Sequence, residues 1–288
     1  MALGNLAQRF LVALVAVPLL LLLLHYERPE PTWAVMFIAS LLAMSEFFAM
    51  TLPKEDRRAA LVMGGLACAA FYWIDPIALG VYDAHVPAKL MNLAQVGQGT
   101  VALVLAVVVP GLYYLFNFRD MTTVAGRYAA TVAGIVYAGF LATYLAKLKL
   151  IGLGHGGDTV LIVLLIAWVA DTGGYFAGRF LGKAKLYEAV SPKKTWAGAW
   201  GGLAGSVLGV AALKLIAADW LTWVDVLALA IPGSILGQMG DLAESLIKRS
   251  VGVKDSGALL PGHGGILDRI DAVLFIAPYV YLYLVLRF

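Results

Sequence analysis

The stretch TVLIVLLIAWVADTGGYFAG, residues 159–178, decides the fold. Among its 20 residues there is one charged side chain, that of Asp171. About 20 mainly apolar residues make a helix long enough to cross the hydrocarbon core of a bilayer. Lipid offers no partner to an open backbone N–H or C=O group, so a spanning segment of this kind is helical. The stretch therefore predicts a transmembrane helix.

Apolar segments of similar length recur along the whole chain. Of its 288 residues, 61% are hydrophobic and 14% are charged, and the mean hydropathy is +0.85. Soluble domains are about 45–50% apolar. We predict an all-α polytopic integral membrane protein with about nine transmembrane helices. The predicted spans are residues 8–24, 32–51, 59–79, 100–118, 124–146, 159–178, 197–217, 221–238 and 272–288.

The sequence indicates one membrane domain over residues 1–288. It shows no repeat of 20–50 residues and no Ser- or Pro-rich linker. The N-terminal spans (1–158) precede the spans that carry the polar motifs (159–288). Residues 1–24 also have features of a secretory signal, but no small-residue cleavage pattern follows, and we interpret them as a retained first span.

The distribution of basic residues predicts the orientation. Most of the 21 Lys and Arg residues fall on one side if the N-terminus is inside, so we expect a multi-pass protein of the inner (plasma) membrane with its site facing the cytoplasm. Segments 179–196 and 239–271 are separated by two predicted spans. Both therefore face the same compartment.

Composition and motif content exclude several functions. A net charge of +3 is too small to indicate nucleic-acid binding. The single cysteine, Cys68, allows neither an intramolecular disulfide nor a multi-cysteine metal site. GRFLGK, residues 178–183, lacks P-loop spacing, and the chain has no HExxH or GxSxG motif. Triad hydrolysis and zinc proteolysis are therefore not expected.

Two acidic residues lie within predicted spans, Glu46 and Asp171. A charge at mid-membrane costs at least about 2.5–3.5 kcal/mol, so acids that persist there usually face a polar cavity. Structural hydrogen bonding between helices is the alternative for both. Gly173 and Gly174 favour a functional Asp171, since they make room for a backbone or a ligand. By contrast, Gly201, Gly205 and Gly209 form a stripe that we interpret as helix packing.

The segment around residue 191 has the features of a phosphate site. Ser191 and Pro192 indicate a turn and a helix start, followed by Lys193, Lys194 and Thr195. Lysines beside the free N–H groups of a helix N-terminus attract phosphate. Anchoring of the lysines at the membrane surface is the alternative explanation.

A second polar segment follows, GQMGDLAESLIKRSVGVKDSGALLPGHGGILDRID. On a helix beginning near Gly240, one face would carry Asp241, Ser245 and Lys248, with Glu244 beside them. Asp268 and Asp271 open the last span. Carboxylates from two helices suit a hard cation such as Mg²⁺, which completes its shell with water and phosphate.

Basic residues interleaved with these acids could neutralise phosphates. They are Lys248, Arg249, Lys254 and Arg269. The Gly264–Gly265 pair could bring backbone N–H groups near a phosphate. His263, a lone histidine beside glycines, is more typical of a turn than of a metal ligand. A solvated amphipathic loop is the alternative for the whole segment.

These motifs resemble the phosphatidate cytidylyltransferase (CDP-diacylglycerol synthase) family. Residues 245–271 match the family signature without a gap. The match consists of SLIKR, four further residues, KDSGALLPGHGG and ILDRID. DTGGYFAGRFLGK (171–183) and SPKKTWAGAWGG (191–202) resemble further shared blocks, so the likeness covers about residues 165–288. In the N-terminal half, only Glu46 is a candidate family feature.

The resemblance implies a Mg²⁺-dependent nucleotidyltransferase that converts CTP and phosphatidic acid to CDP-diacylglycerol and pyrophosphate. It implies Asp241 and Asp268 as metal ligands, with Glu244 as a further ligand. Catalytic roles then fall to Asp241, Asp268, Lys248 and Asp171. The expected substrate-binding residues are Ser191, Lys193, Lys194, Thr195, Ser245, Arg249, Lys254, His263, Gly264, Gly265 and Arg269.

Expected partners are CTP, phosphatidic acid and membrane lipid, with a homodimer among the expected assemblies and no nucleic acid. Three alternatives stay open. A related enzyme would use CTP on another lipid phosphate, such as an archaeal ether lipid. An ion-coupled transporter would use Glu46, Asp171 and Asp241 as a pathway, although no inverted repeat is visible. A scaffold protein would use the glycine stripe for helix contacts.

Overall fold

The computed structural model describes residues 14, 17–73, 98–151, 155–259 and 264–288. Helices make up nearly all of these residues. The described part of the first helix, α1, covers residues 17–25. The elements after it are α2 (Glu30–Thr51), α3 (Lys54–Trp73), α4 (Gln98–Phe116), α5 (Met121–Gly134), a π-helical turn (Ile135–Phe140), α6 (Leu141–Ile151), α7 (Gly156–Leu181), β1 (Lys185–Tyr187), β2 (Ser191–Thr195), α8 (Trp196–Ile216), α9 (Trp223–Ser250) and α10 (Leu267–Arg287).

Seven helical segments within the described residues are long and apolar enough to cross a membrane. One of them joins α5, the π-helical turn and α6 into a continuous span, Met121–Ile151. Helix α3 is not among the seven, because five charged residues fill its first two turns. The predicted spans 8–24 and 59–79 extend beyond the described residues. The structure thus confirms a helical membrane protein, but it does not confirm nine spans.

Helix α9 corrects the predicted end of the eighth span. We expected that span to end at residue 238 and a separate helix to begin near Gly240, but a single 28-residue helix runs from Trp223 to Ser250. Asp225 does not interrupt it, because Asp225 and Thr222 form a capping box at its start. The polar motif Asp241–Lys248 therefore lies on a continuation of a spanning helix.

Residues 185–195 form a small two-stranded sheet beside the helices, and the fold remains that of an all-α membrane protein. Strands β1 and β2 pair as an antiparallel hairpin, in which Lys185 lies opposite Thr195 and Tyr187 opposite Ser191. Ser191 and Pro192 thus belong to a strand, not to a helix start. Helix α8 begins at Trp196, and the side chain of Thr195 accepts a hydrogen bond from the N–H of Gly198 at 3.1 Å. Thr195 is therefore the N-cap of α8.

Helices α7 and α8 pack backbone against backbone along a glycine seam. A Cβ added at Gly173 would overlap the carbonyl oxygen of Gly201, and one added at Gly205 would lie 2.5 Å from the carbonyl oxygen of Val169. Small residues permit such close approach of membrane helices. The packing interpretation of Gly201 and Gly205 is confirmed. Gly173 makes room for a backbone, whereas Gly174 borders a cavity.

We expect the substitution Gly173→Ala to lower the free energy of unfolding by about 1–3 kcal/mol, because the added methyl group overpacks the seam. The matched control is Gly126→Ala in α5, where an added Cβ meets nothing within 4 Å. Ala has the higher helix propensity, so the control should be neutral or slightly stabilising. Thermal unfolding in detergent checks both variants. Equal unfolding temperatures would show that the seam tolerates a side chain.

Candidate active site

A cavity of about 480 Å³ lies between α7, α8 and α9, with Ala272 and Ile276 of α10 completing its wall. This volume falls within the range of small-molecule sites, about 300–1,000 Å³. The polar residues that line it are Asp171, Tyr175, Arg179, Lys193, Lys194, Thr195, Ser234, Gln238 and Asp241.

The chemical character of the cavity changes along α7. Ile166 and Ala167 make its lining apolar, whereas Asp171 and Arg179, further along the same helix, make it charged. Glycines at positions such as 174 and 178 keep the helix surface open. The cavity therefore offers an apolar part and an ionic part to one ligand.

The hairpin brings cationic side chains to the ionic part. Lys194 Nζ lies 2.7 Å from Asp241 Oδ2, an ion pair between β2 and α9. This contact joins segments 179–196 and 239–271, which the sequence places in the same compartment. Lys193 also lines the cavity and is exposed. Two lysines and one half-exposed carboxylate thus share the mouth of the site.

A second cluster lies on the next turns of α9. Lys248 Nζ donates to Glu244 Oε2 at 2.5 Å and to Asp268 Oδ1 at 2.6 Å. All three side chains are nearly buried, and Glu244 Oε1 has no hydrogen-bond partner within the described structure. Breaking such a buried set is costly, because it leaves an uncompensated charge in a poorly solvated place.

Two backbone N–H groups between α9 and α10 also donate to the carboxylate of Asp268. The backbone N–H of Ser256 donates to Asp268 Oδ2 at 3.0 Å, and that of Gly265 donates to the same oxygen at 2.9 Å. Gly264 has φ of +78°, a conformation open to glycine, and an added Cβ there would lie 2.8 Å from Asp268 Oδ2. The Gly-Gly pair thus directs an N–H towards a carboxylate.

The predicted residues separate into three groups. Asp171, Lys193, Lys194, Thr195 and Asp241 line the cavity. Glu244, Lys248 and Asp268 form the second cluster, to which Gly265 donates. The remaining predicted residues are Ser191, Ser245, Arg249, Lys254, His263, Gly264 and Arg269.

Ser245 is adjacent to the cavity, since its Oγ donates to Asp241 Oδ1 at 3.5 Å. Arg249 donates to the carbonyl oxygen of Val253 at 2.8 Å and stabilises its own turn. Ser191 and Lys254 do not line the described cavity. Arg269 is exposed on the first turn of α10. His263 lies outside the described residues.

Several lining residues were not predicted, notably Arg179, Ser234 and Gln238. Gln238 Nε2 donates to Ser234 Oγ at 3.3 Å and to the carbonyl oxygen of Ala199 at 3.2 Å. The sequence did contain a signal, because Ser234, Gln238 and Asp241 recur at helical spacing on one face of α9. This spacing was not recognised, because the predicted span ended at residue 238 and so placed Asp241 on a different helix from Ser234.

Whether these residues fit Mg²⁺ depends on which carboxylate oxygens are exposed and not already taken up by hydrogen-bond donors. Within the described ranges, no three His, Cys, Asp or Glu side chains are grouped to hold a metal ion. Mg²⁺ usually takes one or two carboxylates and fills its shell with water and phosphate, so such a group is not required. Asp241 is 37% exposed and fits this pattern. Asp268 is mostly buried and accepts from Lys248, Ser256 and Gly265, so a metal ion would have to share this carboxylate with Lys248 while the two backbone donors keep it in place.

Fold and site together define a helical membrane protein with a mixed apolar and ionic cavity beside paired acids and lysines. The model of the Cytidylyltransferase family matches residues 7–287, and the chain belongs to this family.

Three named relatives illustrate the similarity. A phosphatidate cytidylyltransferase of Brucella suis biovar 1 (strain 1330) is 47% identical over 155 residues, covering 52% of this chain and 55% of that protein. One from Staphylococcus saprophyticus is 42% identical over 172 residues, covering 59% and 61%. One from Bacillus subtilis (strain 168) is 38% identical over 151 residues, covering 52% and 56%. The chain thus spans little more than half the length of the curated relatives it matches.

Proposed function

We propose that the protein transfers the cytidylyl group of CTP to phosphatidic acid, giving CDP-diacylglycerol and pyrophosphate. The observation that carries this proposal is a cavity whose lining changes from apolar to ionic along α7. A lipid phosphate needs such a site, because its headgroup is anionic and its tails are not. Family membership and the printed names of the relatives support the same reaction.

The chemistry requires little covalent assistance from the protein. A phosphate monoester oxygen attacks the α-phosphorus of CTP, and the bond from that phosphorus to the oxygen bridging the α- and β-phosphates breaks, so that this oxygen leaves with pyrophosphate. The nucleophile is already ionised, so no strong general base is needed. The task is to bring two polyanions together and to stabilise charge during an in-line displacement. Arg179, Lys193 and Lys194 line the cavity where those charges would meet.

Asp241 and Asp268 would hold Mg²⁺, with Glu244 as a further ligand. A bound Mg²⁺ would supply charge neutralisation on phosphate oxygens. Asp171 lines the same cavity from α7. Lys248 would keep Glu244 and Asp268 in place through its two ion pairs.

We further propose an inner-membrane location with the site facing the cytoplasm, where CTP is available. The distribution of Lys and Arg supports this orientation. We also propose a homodimer, which is an expectation from the sequence alone.

The proposal is tested with protein purified in detergent micelles that contain phosphatidic acid. With labelled CTP and Mg²⁺ we expect labelled CDP-lipid and pyrophosphate in equal amounts, and no product from diacylglycerol, which lacks the phosphate nucleophile. Preference for an ether-linked lipid phosphate would favour the related enzyme. Absence of any CDP-lipid, together with dissipation of an ion gradient in proteoliposomes, would favour the transporter.

A further inference from the structure

Glu46 is a buried carboxylate that the proposed chemistry does not use. It lies in α2, is 7% exposed, and accepts three hydrogen bonds from residues that the structure describes. Ser256 Oγ and the N–H of Leu267 donate to Oε2 at 3.0 and 2.9 Å, and the N–H of Ile266 donates to Oε1 at 3.0 Å. A helix from the N-terminal half therefore binds the segment that precedes α10.

Gly257 and Gly265 both lie close against the carboxylate of Glu46. A Cβ added at Gly257 would lie 2.7 Å from Glu46 Oε1, and one added at Gly265 would overlap both Glu46 Oε2 and Ser256 Oγ. Glycine at these two positions therefore lets the backbone approach Glu46. Charge-assisted hydrogen bonds of this kind are stronger than neutral ones and offset part of the cost of burying the carboxylate.

The same segment holds Asp268. Ser256 donates its side-chain hydroxyl to Glu46 and its backbone N–H to Asp268. Gly265, whose N–H also donates to Asp268, lies against Glu46. The position of Asp268 thus depends on a segment whose other face is fixed by Glu46.

We propose that Glu46 is a positioning residue that orients Asp268 by anchoring Ser256 and the start of α10. The part of this inference that concerns catalysis rests on the proposed function. Residues that orient metal-binding carboxylates affect metal affinity or activity by about 10–100-fold when they are lost. Glu46 touches neither the cavity nor the described cationic groups, so its effect is transmitted through the segment.

The test compares Glu46→Gln with Glu30→Gln, an exposed position in the same helix. Gln preserves the size of the side chain but turns one acceptor oxygen into an NH₂ donor that faces protein donors. For Glu46→Gln we expect the Mg²⁺ concentration that gives half-maximal rate to rise about tenfold or more. Glu30→Gln should match the wild-type protein. A loss of folded protein alone would lower the rate without moving this Mg²⁺ dependence.

Hydrogen exchange gives a second readout that needs no catalysis. The amides of Ser256, Gly265, Ile266 and Leu267 should exchange faster in Glu46→Gln than in Glu30→Gln. Ser256→Ala should cause a smaller Mg²⁺ shift, and the double variant should show less than the sum of the two effects, because both substitutions act on one hydrogen bond.

An unchanged Mg²⁺ dependence in folded Glu46→Gln, or unchanged exchange at those amides, would overturn the inference. If the wild-type protein makes no CDP-lipid, the proposed function fails instead. The exchange measurement then decides the anchoring role of Glu46 by itself.

Discussion

The variant Asp241→Asn is expected to lose at least about a hundredfold in turnover, equivalent to about 2.7 kcal/mol of activation free energy. Asp241 is the carboxylate at the cavity mouth that is open to solvent and paired with Lys194 at 2.7 Å. Asn has nearly the same size but no charge, so its attraction for a divalent cation is weak and the ion pair with Lys194 is lost. The same loss is expected for Asp268→Asn, whose amide would present a donor to Lys248 and to backbone N–H groups.

Steady-state rates at saturating CTP and Mg²⁺, normalised to folded protein, measure the effect. Asp219→Asn is the matched control, because Asp219 is exposed in the connection between α8 and α9. The control should retain the wild-type rate. A folded Asp241→Asn protein with a near-normal rate would remove Asp241 from the catalytic site.

The variant Lys248→Met should lower the free energy of unfolding by about 3–5 kcal/mol, because it leaves two buried carboxylates without their cation. Met fills a similar volume, so the effect reports the lost charge more than lost packing. Lys248 lies between Glu244 and Asp268 at 2.5 and 2.6 Å. Thermal unfolding in detergent measures the change.

The exposed Lys254 offers a control, since Lys254→Met removes the same charge from the surface and should be nearly neutral. Adding Glu244→Gln to Lys248→Met should recover part of the lost stability, because one unpaired charge disappears. If Lys248→Met unfolds at the wild-type temperature, the cluster contributes little to folding.

The sequence predicted the spanning helices where a long run of apolar residues identifies them. Uninterrupted apolar residues such as those of 159–178 identified α7, and the structure extends it only to Gly156–Leu181. The end of α9 was placed wrongly because polar residues after Gln238 were interpreted as leaving the helix. They continue it, since residues 241–250 pack against the hairpin and α10 through ion pairs. The hairpin was missed because SPKKT lacks the alternation of apolar and polar residues that indicates a strand.

The sequence predicted many of the residues that form the candidate site, but it did not predict which of them form ion pairs with each other. Spacing on one helix indicated the common face of Asp241, Ser245 and Lys248, and a 3.5 Å contact joins the first two. That Lys194 pairs with Asp241 while Lys248 pairs with Asp268 depends on how separate helices pack, which local spacing does not encode. Glu46 shows the limit most clearly, because its partners are 210 or more positions away in the chain.

The seam between α7 and α8 has a mechanical consequence for how a substrate is admitted. Where the backbones meet at Gly173, Gly201 and Gly205, no side chain that could change rotamer lies between the two helices, so this part of the wall cannot widen by small adjustments. Sliding or rolling would push carbonyl oxygens into Cα atoms at Gly173 and Gly205. The two helices therefore form a rigid wall of the cavity. Any widening of the cavity falls to the hairpin and to α9, in which Pro232 already removes one backbone hydrogen bond.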